Sequence, residues 1–326
     1  MIWQSAALVV LLASTWLIVQ ASLRDASTAI VSAGRTGFTV LGLLALTWWS
    51  PAGTAPPTQD AKDTKDAKDT KDAKGARYRW WQVVLLALTG VTAYTVLSTV
   101  AISLAGPALP ALALSLTPAV VLIAESVLLR TWPAPRTIAG TVIAVAGAAL
   151  YTIPRLAGTF GDDVALGSLV ALAAMFSMAF YGLYFSRTNR GYQGAMAPRI
   201  LPIFAVGTIP LAAWAAADVA AGERVGWAAL GMLALLGIVV YVPAYLLQHR
   251  ILLTGGPSYS ALLGLAVPPL VGVSSALLQL AGAPAPMQIA GMGLTLAGMA
   301  LVIRGRLART KEVRAARVTL SRPSDA

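Results

Sequence analysis

Two stretches of this chain are near copies of one another. Residues 133–150 read PAPRTIAGTVIAVAGAAL, and residues 284–301 read PAPMQIAGMGLTLAGMAL. Ten of the 18 aligned positions are identical, and Pro133, Pro135, Gly140 and Gly147 fall on Pro284, Pro286, Gly291 and Gly298. Upstream, Gly106-Pro107 sits 12 residues before Pro118, and Gly256-Pro257 sits 12 residues before Pro268. Both copies are apolar enough to cross a bilayer. The chain therefore reads as a membrane protein built from two related halves, 1–154 and 164–304, the architecture that secondary transporters use.

Ten apolar stretches approach the roughly 20-residue span of a bilayer. They fall at about 2–21, 28–49, 80–104, 108–129, 136–154, 164–185, 200–217, 226–248, 258–281 and 286–304. In lipid each must be a helix, because its backbone polar groups find partners only within the segment. The expected fold is thus all-α and integral to the membrane, with about ten transmembrane helices in two inverted five-helix repeats. An odd number of spans per repeat turns the second upside down. With the N-terminus inside, the inner loops and the tail collect 20 of the 24 Lys and Arg residues, and the outer loops hold Arg24, Arg155 and Arg224. That bias places both termini in the cytoplasm and the chain in the plasma (inner) membrane as a multi-pass protein.

The net charge of +11 would suggest nucleic acid in a soluble protein. Here it lies between or after the apolar runs and reads as topology, so no nucleic-acid partner is expected. The loop 51–78 carries DAKDTKDAKDTKDAK, five Lys against five Asp, and reads as a solvated low-complexity insert. The basic tail, 305–326, suits an anionic lipid surface.

Clearly within the spans, away from their ends, only Arg35 and Glu125 are charged. Each costs about 2.5–3.5 kcal/mol at mid-membrane on insertion scales unless paired or wetted. Arg35 sits toward the outer end of helix 2 and Glu125 toward the inner end of helix 4, so a direct ion pair is not expected. Glu125 is read either as a protonatable or substrate-binding acid in a central cavity, or as a shallow acid reaching water. Ser177, Tyr181 and Tyr184 share one face of helix 6 at i, i+4, i+7. Tyr94 with Ser98 do so on helix 3, and Tyr241 with Tyr245 on helix 8. Tyr94 and Tyr241 correspond in the two halves, each four residues after a glycine (Gly90, Gly237). A tyrosine hydroxyl in lipid wants a hydrogen-bond partner, so Ser177, Tyr181, Tyr94, Ser98 and Tyr241 are expected on a cavity, with interhelical packing the competing role. Tyr184 is expected in an interfacial belt.

Pro118 and the pair Pro268-Pro269 occupy equivalent positions. They are read as interior prolines that each remove a helix hydrogen bond and act as hinges near the site. Gly140, Gly147, Gly291 and Gly298 are read as close-packing positions. His249 is expected at the membrane interface. With one histidine, one membrane acid and no cysteine, no metal cluster or nucleophile set for a membrane enzyme can be composed, and no cofactor is expected. No phosphate-binding loop signals ATP use.

With these features the chain resembles the drug/metabolite transporter superfamily, in its ten-helix form of two EamA-like repeats. Trp16 followed by Arg35-Thr36-Gly37-Phe38 looks like the family's early tryptophan and Arg-Phe element. ALSLTPAVVLIAESVLL, containing Thr117-Pro118, is similar to its Ser/Thr-Pro helix 4, and GLAVPPLVGVSSALL to the counterpart in helix 9. AFYGLYFSR looks like its helix 6 exit, and the two IAG-x6-G segments match its closing helices. The chain departs from the family at LLRTWPAP and LQLAGAPAP, which lack the usual Gly-Glu element, so no role for that acid carries over. The resemblance implies substrate contact for Trp16 and Thr117, and for Arg35 a structural, orienting role with substrate contact as the competing one. It implies a secondary transporter of a small metabolite, amino acid or drug-like compound, working by alternating access and more in export than import. A flippase for a lipid-linked or amphiphilic substrate is the alternative. The partners expected are a small-molecule substrate and the bilayer, with proton coupling and a homodimer left open.

Overall fold

Helix is the one conformation that satisfies so apolar a backbone in lipid, apart from closed barrels. The computed structural model is built from it throughout the described residues, 2–22, 25–49, 78–105, 108–130, 132–156, 163–277 and 284–320. Ten helical runs follow one another. They are α1 (Ile2–Ser22), α2 (Thr28–Trp49), α3 (Trp80–Leu86, Ala87–Ala93 and Tyr94–Ala105), α4 (Ala108–Ser115 and Thr117–Leu129) and α5 (Pro135–Leu156). The second five are α6 (Val164–Thr188), α7 (Met196–Ala220), α8 (Trp227–Ala234, Leu235–Tyr241 and Val242–Gly255), α9 (Pro257–Gly264 and Val267–Leu277) and α10 (Pro286–Leu320). Eight helices are long and apolar enough to cross a membrane, and α1 and α4 contribute the shorter apolar stretches Trp3–Thr15 and Leu112–Leu128.

The surface is that of a membrane protein. Leu41, Ile123, Val142, Leu169, Phe176 and Ile209 stand exposed along the middles of their helices. Trp3, Trp48, Trp49, Trp80, Trp81 and Trp132 are exposed at the ends of α1 to α4 that share one side of the bundle, and Trp227 is exposed at the start of α8 on the other. Indole rings favour the boundary between acyl chains and water, so these positions mark the two edges of the apolar band.

The halves are interlocked rather than side by side. α1 packs on α8 and α9 of the second half, while α6 packs on α3 and α4 of the first. α2 lies against α7 and α8, α7 against α2 and α3, α4 against α9, and α5 against α10. Exchanging each helix for its repeat counterpart turns this set of neighbours into itself. The α5–α10 contact is the tightest example. A Cβ on Gly147 would sit 2.4 Å from the Thr295 nitrogen and 2.8 Å from the Gly291 carbonyl. One on Gly298 would sit 2.4 Å from the Ala144 nitrogen and 2.6 Å from the Gly140 carbonyl. Only glycine lets the two antiparallel backbones meet at this distance.

Three features differ from the sequence reading. α4 and α9 are each interrupted by a tightened turn just before their prolines, at Leu116 and at Leu265–Ala266, with Leu116 and Leu265 still in the right-handed helical region. Pro118 and Pro268-Pro269 follow directly, and the N–H that Pro118 lacks leaves the Leu114 carbonyl to the Thr117 hydroxyl. α3 and α8 each contain a seven-residue π-helical segment. α10 continues as helix to Leu320, because between Gly305 and Leu320 the sequence offers neither glycine nor proline to end it.

Candidate functional site

A π-helical turn holds one more residue than an α-turn, and such segments are frequent at functional sites. The two in this chain, Ala87–Ala93 and Leu235–Tyr241, contain Gly90 and Gly237, the glycines of the repeat correspondence. Neighbouring helices use both. A Cβ on Gly90 would meet the Tyr181 ring at 2.2 Å, and one on Gly237 would meet Phe38 Cβ at 2.4 Å and the Arg35 carbonyl at 2.9 Å. The irregular backbone is covered by side chains across the interface. Ser177 Oγ donates to the Thr89 carbonyl at 2.8 Å, and Thr39 Oγ1 donates to the Gly237 carbonyl at 3.2 Å.

These segments carry the tyrosines to one place. Tyr94 follows the first segment and Tyr241 ends the second. Between them, from α2, comes Arg35, whose Nη1 donates to the Tyr241 hydroxyl at 3.2 Å. The phenol groups of Tyr94, Tyr241 and Tyr245 all lie within electrostatic reach of the guanidinium, and no carboxylate among the described residues does. Tyr241 and Tyr245 stack with centroids 5.0 Å apart, and the Phe204 ring, tilted by 48°, lies 4.5 Å from Tyr245. The Tyr241 bond is the one hydrogen bond Arg35 makes among the described residues, and the hydroxyls of Tyr94 and Tyr245 make none there. No described side-chain nitrogen or oxygen is both sealed from solvent and unbonded. Nε and Nη2 of Arg35 and the two hydroxyls are therefore not sealed from solvent.

Further along α8 lies a group that the sequence reading misplaced. His249 is 1% exposed, buried among Tyr181, Phe185, Phe204 and Tyr245 rather than lying at an interface. α8 runs on to Gly255, which puts His249 roughly 9 Å inside its end at 1.5 Å per residue. His249 Nδ1 is 2.6 Å from the Tyr245 carbonyl, which can only accept, so Nδ1 carries the proton and Nε2 accepts from the Tyr181 hydroxyl. The hydroxyl of Tyr181 is thus engaged with α8. Tyr184 stacks on Phe180 at 5.6 Å.

The broken helices meet at the same end of the bundle. Glu125 in α4 accepts a hydrogen bond from Ser258, a fully buried side chain in the first turn of α9. A carboxylate is favoured there by the positive end of the helix dipole. Glu125 and Arg35 are not paired. At the α4 break Thr117 Oγ1 donates to the Leu114 carbonyl at 2.6 Å, so its hydroxyl serves its own helix. Ser98 likewise donates to Thr95. At the α9 break Tyr151, 1% exposed, donates from its hydroxyl to the Pro268 carbonyl at 2.9 Å. Trp16 lies on α1, and its side chain falls outside the described residues.

Next to the 51–77 segment the chain is fastened by Tyr78. Its ring lies 3.7 Å beneath the Arg199 guanidinium, and its hydroxyl donates to Asn189 Oδ1 at 2.9 Å, which also accepts from Arg199 Nε at 2.5 Å. Burial raises the Tyr78 hydroxyl above its ordinary pKa, and the Arg199 charge opposes this in part.

Of the residues singled out in the sequence, the structure gathers Tyr94 and Tyr241 with Arg35. It sets Ser177 and Tyr181 on the α6 contacts with α3 and α8, and Glu125 at the α4–α9 contact. Tyr245, His249, Ser258 and Tyr151 complete these groups. The repeat correspondence pointed to Tyr241 but carried no signal for His249 or Tyr151.

Comparison with known proteins agrees with this architecture. No curated protein matches the chain. A solved structure titled only "Crystal structure of protein" aligns over 92% of this chain and 95% of its own, with a TM-score of 0.69 at 19% identity, a likeness of fold alone. Residues 1–153 match the EamA-like transporter family. The chain is a multi-pass membrane protein whose residues 1–153 are similar to the EamA-like transporter family.

Proposed function

We propose that this protein is a plasma-membrane secondary transporter that exports a small metabolite, amino acid or drug-like compound by alternating access, with both termini in the cytoplasm. The observation that carries the reading is the pair of broken helices, α4 and α9, packed on one another at equivalent positions of two interlocked repeats. Discontinuous helices at a repeat interface mark the binding region of inverted-repeat transporters, because a break supplies both exposed backbone polar groups and a place to bend. The transport site lies among Arg35, Tyr94, Tyr241 and Tyr245. Tyr181–His249 and Glu125–Ser258 are contacts toward one end that part as the halves rock, and Pro118 and Pro268 are the hinges. Glu125 is the acid available for proton coupling. Cells with and without the gene, compared across a panel of metabolites and toxic compounds, test the function. A compound retained inside cells lacking the gene supports export, and equal retention of every compound refutes it.

A further inference from the structure

We propose that the Arg35 site takes the carboxylate of a small organic anion or zwitterion, so that the transported substrate carries a carboxylate; this rests on the transport reading above. A guanidinium has five N–H donors and no acceptor. Arg35 commits one nitrogen, Nη1, to the neutral hydroxyl of Tyr241. The two left unbonded, Nε and Nη2, form the side-on fork whose spacing matches the two oxygens of a carboxylate. Neither is sealed from solvent, nor are the hydroxyls of Tyr94 and Tyr245, which can add donors to the same anion.

Charge balance points the same way. Buried cations in a membrane protein are found paired, and this one has no acid within reach among the described residues. The acid within the spans, Glu125, is bonded to Ser258 instead. An arriving carboxylate would complete the ion pair, whereas a cation would be repelled. The phenol rings around the fork would hold the body of the substrate by its apolar faces. The selectivity follows from chemistry rather than shape: the carboxylate and its amide have nearly the same outline, but only the former brings the missing charge.

The test uses the full chain purified in detergent. Phenylacetate against 2-phenylacetamide, benzoate against benzamide, and L-phenylalanine against its amide are titrated by calorimetry. For at least one pair the acid should bind tenfold or more tightly than the amide. Arg35→Gln should weaken acid binding roughly 10- to 100-fold, the range for a lost charge-assisted contact, and weaken amide binding by less than tenfold. Arg35→Lys, which keeps the charge and loses the fork, should fall between. The ligand-free melting temperature of Arg35→Gln should not drop, since the variant removes an unpaired buried charge. Equal affinity for acid and amide in every wild-type pair overturns the proposal without any variant. So does an acid preference that survives in Arg35→Gln, or a melting temperature in that variant several degrees below wild type with its acid preference kept. Flux of the same probes in proteoliposomes separates the two claims. Arg35-dependent acid binding with no flux of any compound refutes transport and keeps the anion site. Flux of amides and acids alike, unaffected by Arg35→Gln, keeps transport and refutes the site.

Discussion

Adding one methyl group at Gly291 tests the repeat interface directly. The new Cβ would lie 2.5 Å from the Tyr151 nitrogen, 2.7 Å from the Gly147 carbonyl and 3.0 Å from Tyr151 Cα. These are backbone atoms and cannot rotate away, so α5 and α10 must separate by about 1 Å to reach an ordinary contact of about 3.5 Å. Overpacking of this kind costs about 1–3 kcal/mol, against a gain of up to about 1 kcal/mol from replacing glycine by alanine within a helix. Gly293 supplies the control. It lies on the same helix two residues away, and a Cβ there meets nothing within 4 Å. Gly293→Ala keeps the helical gain without the clash, so the two variants should differ by about 1–3 kcal/mol in stability. Gly147 faces Gly291 across the contact, so the double variant Gly147→Ala, Gly291→Ala should cost less than the sum, since one separation serves both methyl groups. Thermal unfolding of the purified chain, followed by tryptophan fluorescence, reads the differences. A Gly291→Ala protein melting at or above Gly293→Ala would refute the packing argument.

Three further outcomes are expected. Pro118→Ala gives position 118 an N–H aimed at the Leu114 carbonyl now held by Thr117, which should join the halves of α4 and slow transport while insertion stays intact; unchanged rates here and in Pro268→Ala would reduce both prolines to packing. Glu125→Gln keeps an oxygen for Ser258 and fixes the side chain neutral, so flux driven by a pH gradient should collapse while exchange at equal pH persists; a wild-type pH response would remove Glu125 from coupling. Cysteines at Thr64 and Ser324 should be shielded from an impermeant thiol reagent in intact cells while one at Gly161 reacts, and reaction at Thr64 would invert the topology.

Read alone, the sequence determined the spans, their number, the two repeats and the likeness to EamA-like transporters. Each follows from hydropathy, from the recurring Pro and Gly positions, or from short motifs, all properties of the chain taken in order. The tertiary structure decided which face of each helix looks inward. In a soluble helix polar residues mark the outside, but here the lipid side is as apolar as the core. Leu169 and Phe176 are exposed on α6, and Ala171 and Met175 are buried beside them. Nor could a one-residue change of helical register be seen in advance, so the π-helical segments that bring Tyr94 and Tyr241 around Arg35 were not legible. The breaks at Leu116 and Leu265–Ala266 were legible only as prolines, because whether proline kinks a helix or starts a new one depends on what takes up the freed carbonyls. At α4 the hydroxyl of Thr117 takes that of Leu114. The burial of His249 beneath Tyr181 required α8 to outrun its apolar stretch and α6 to cross it. Such contacts join residues far apart in the chain, and only the folded bundle brings them together.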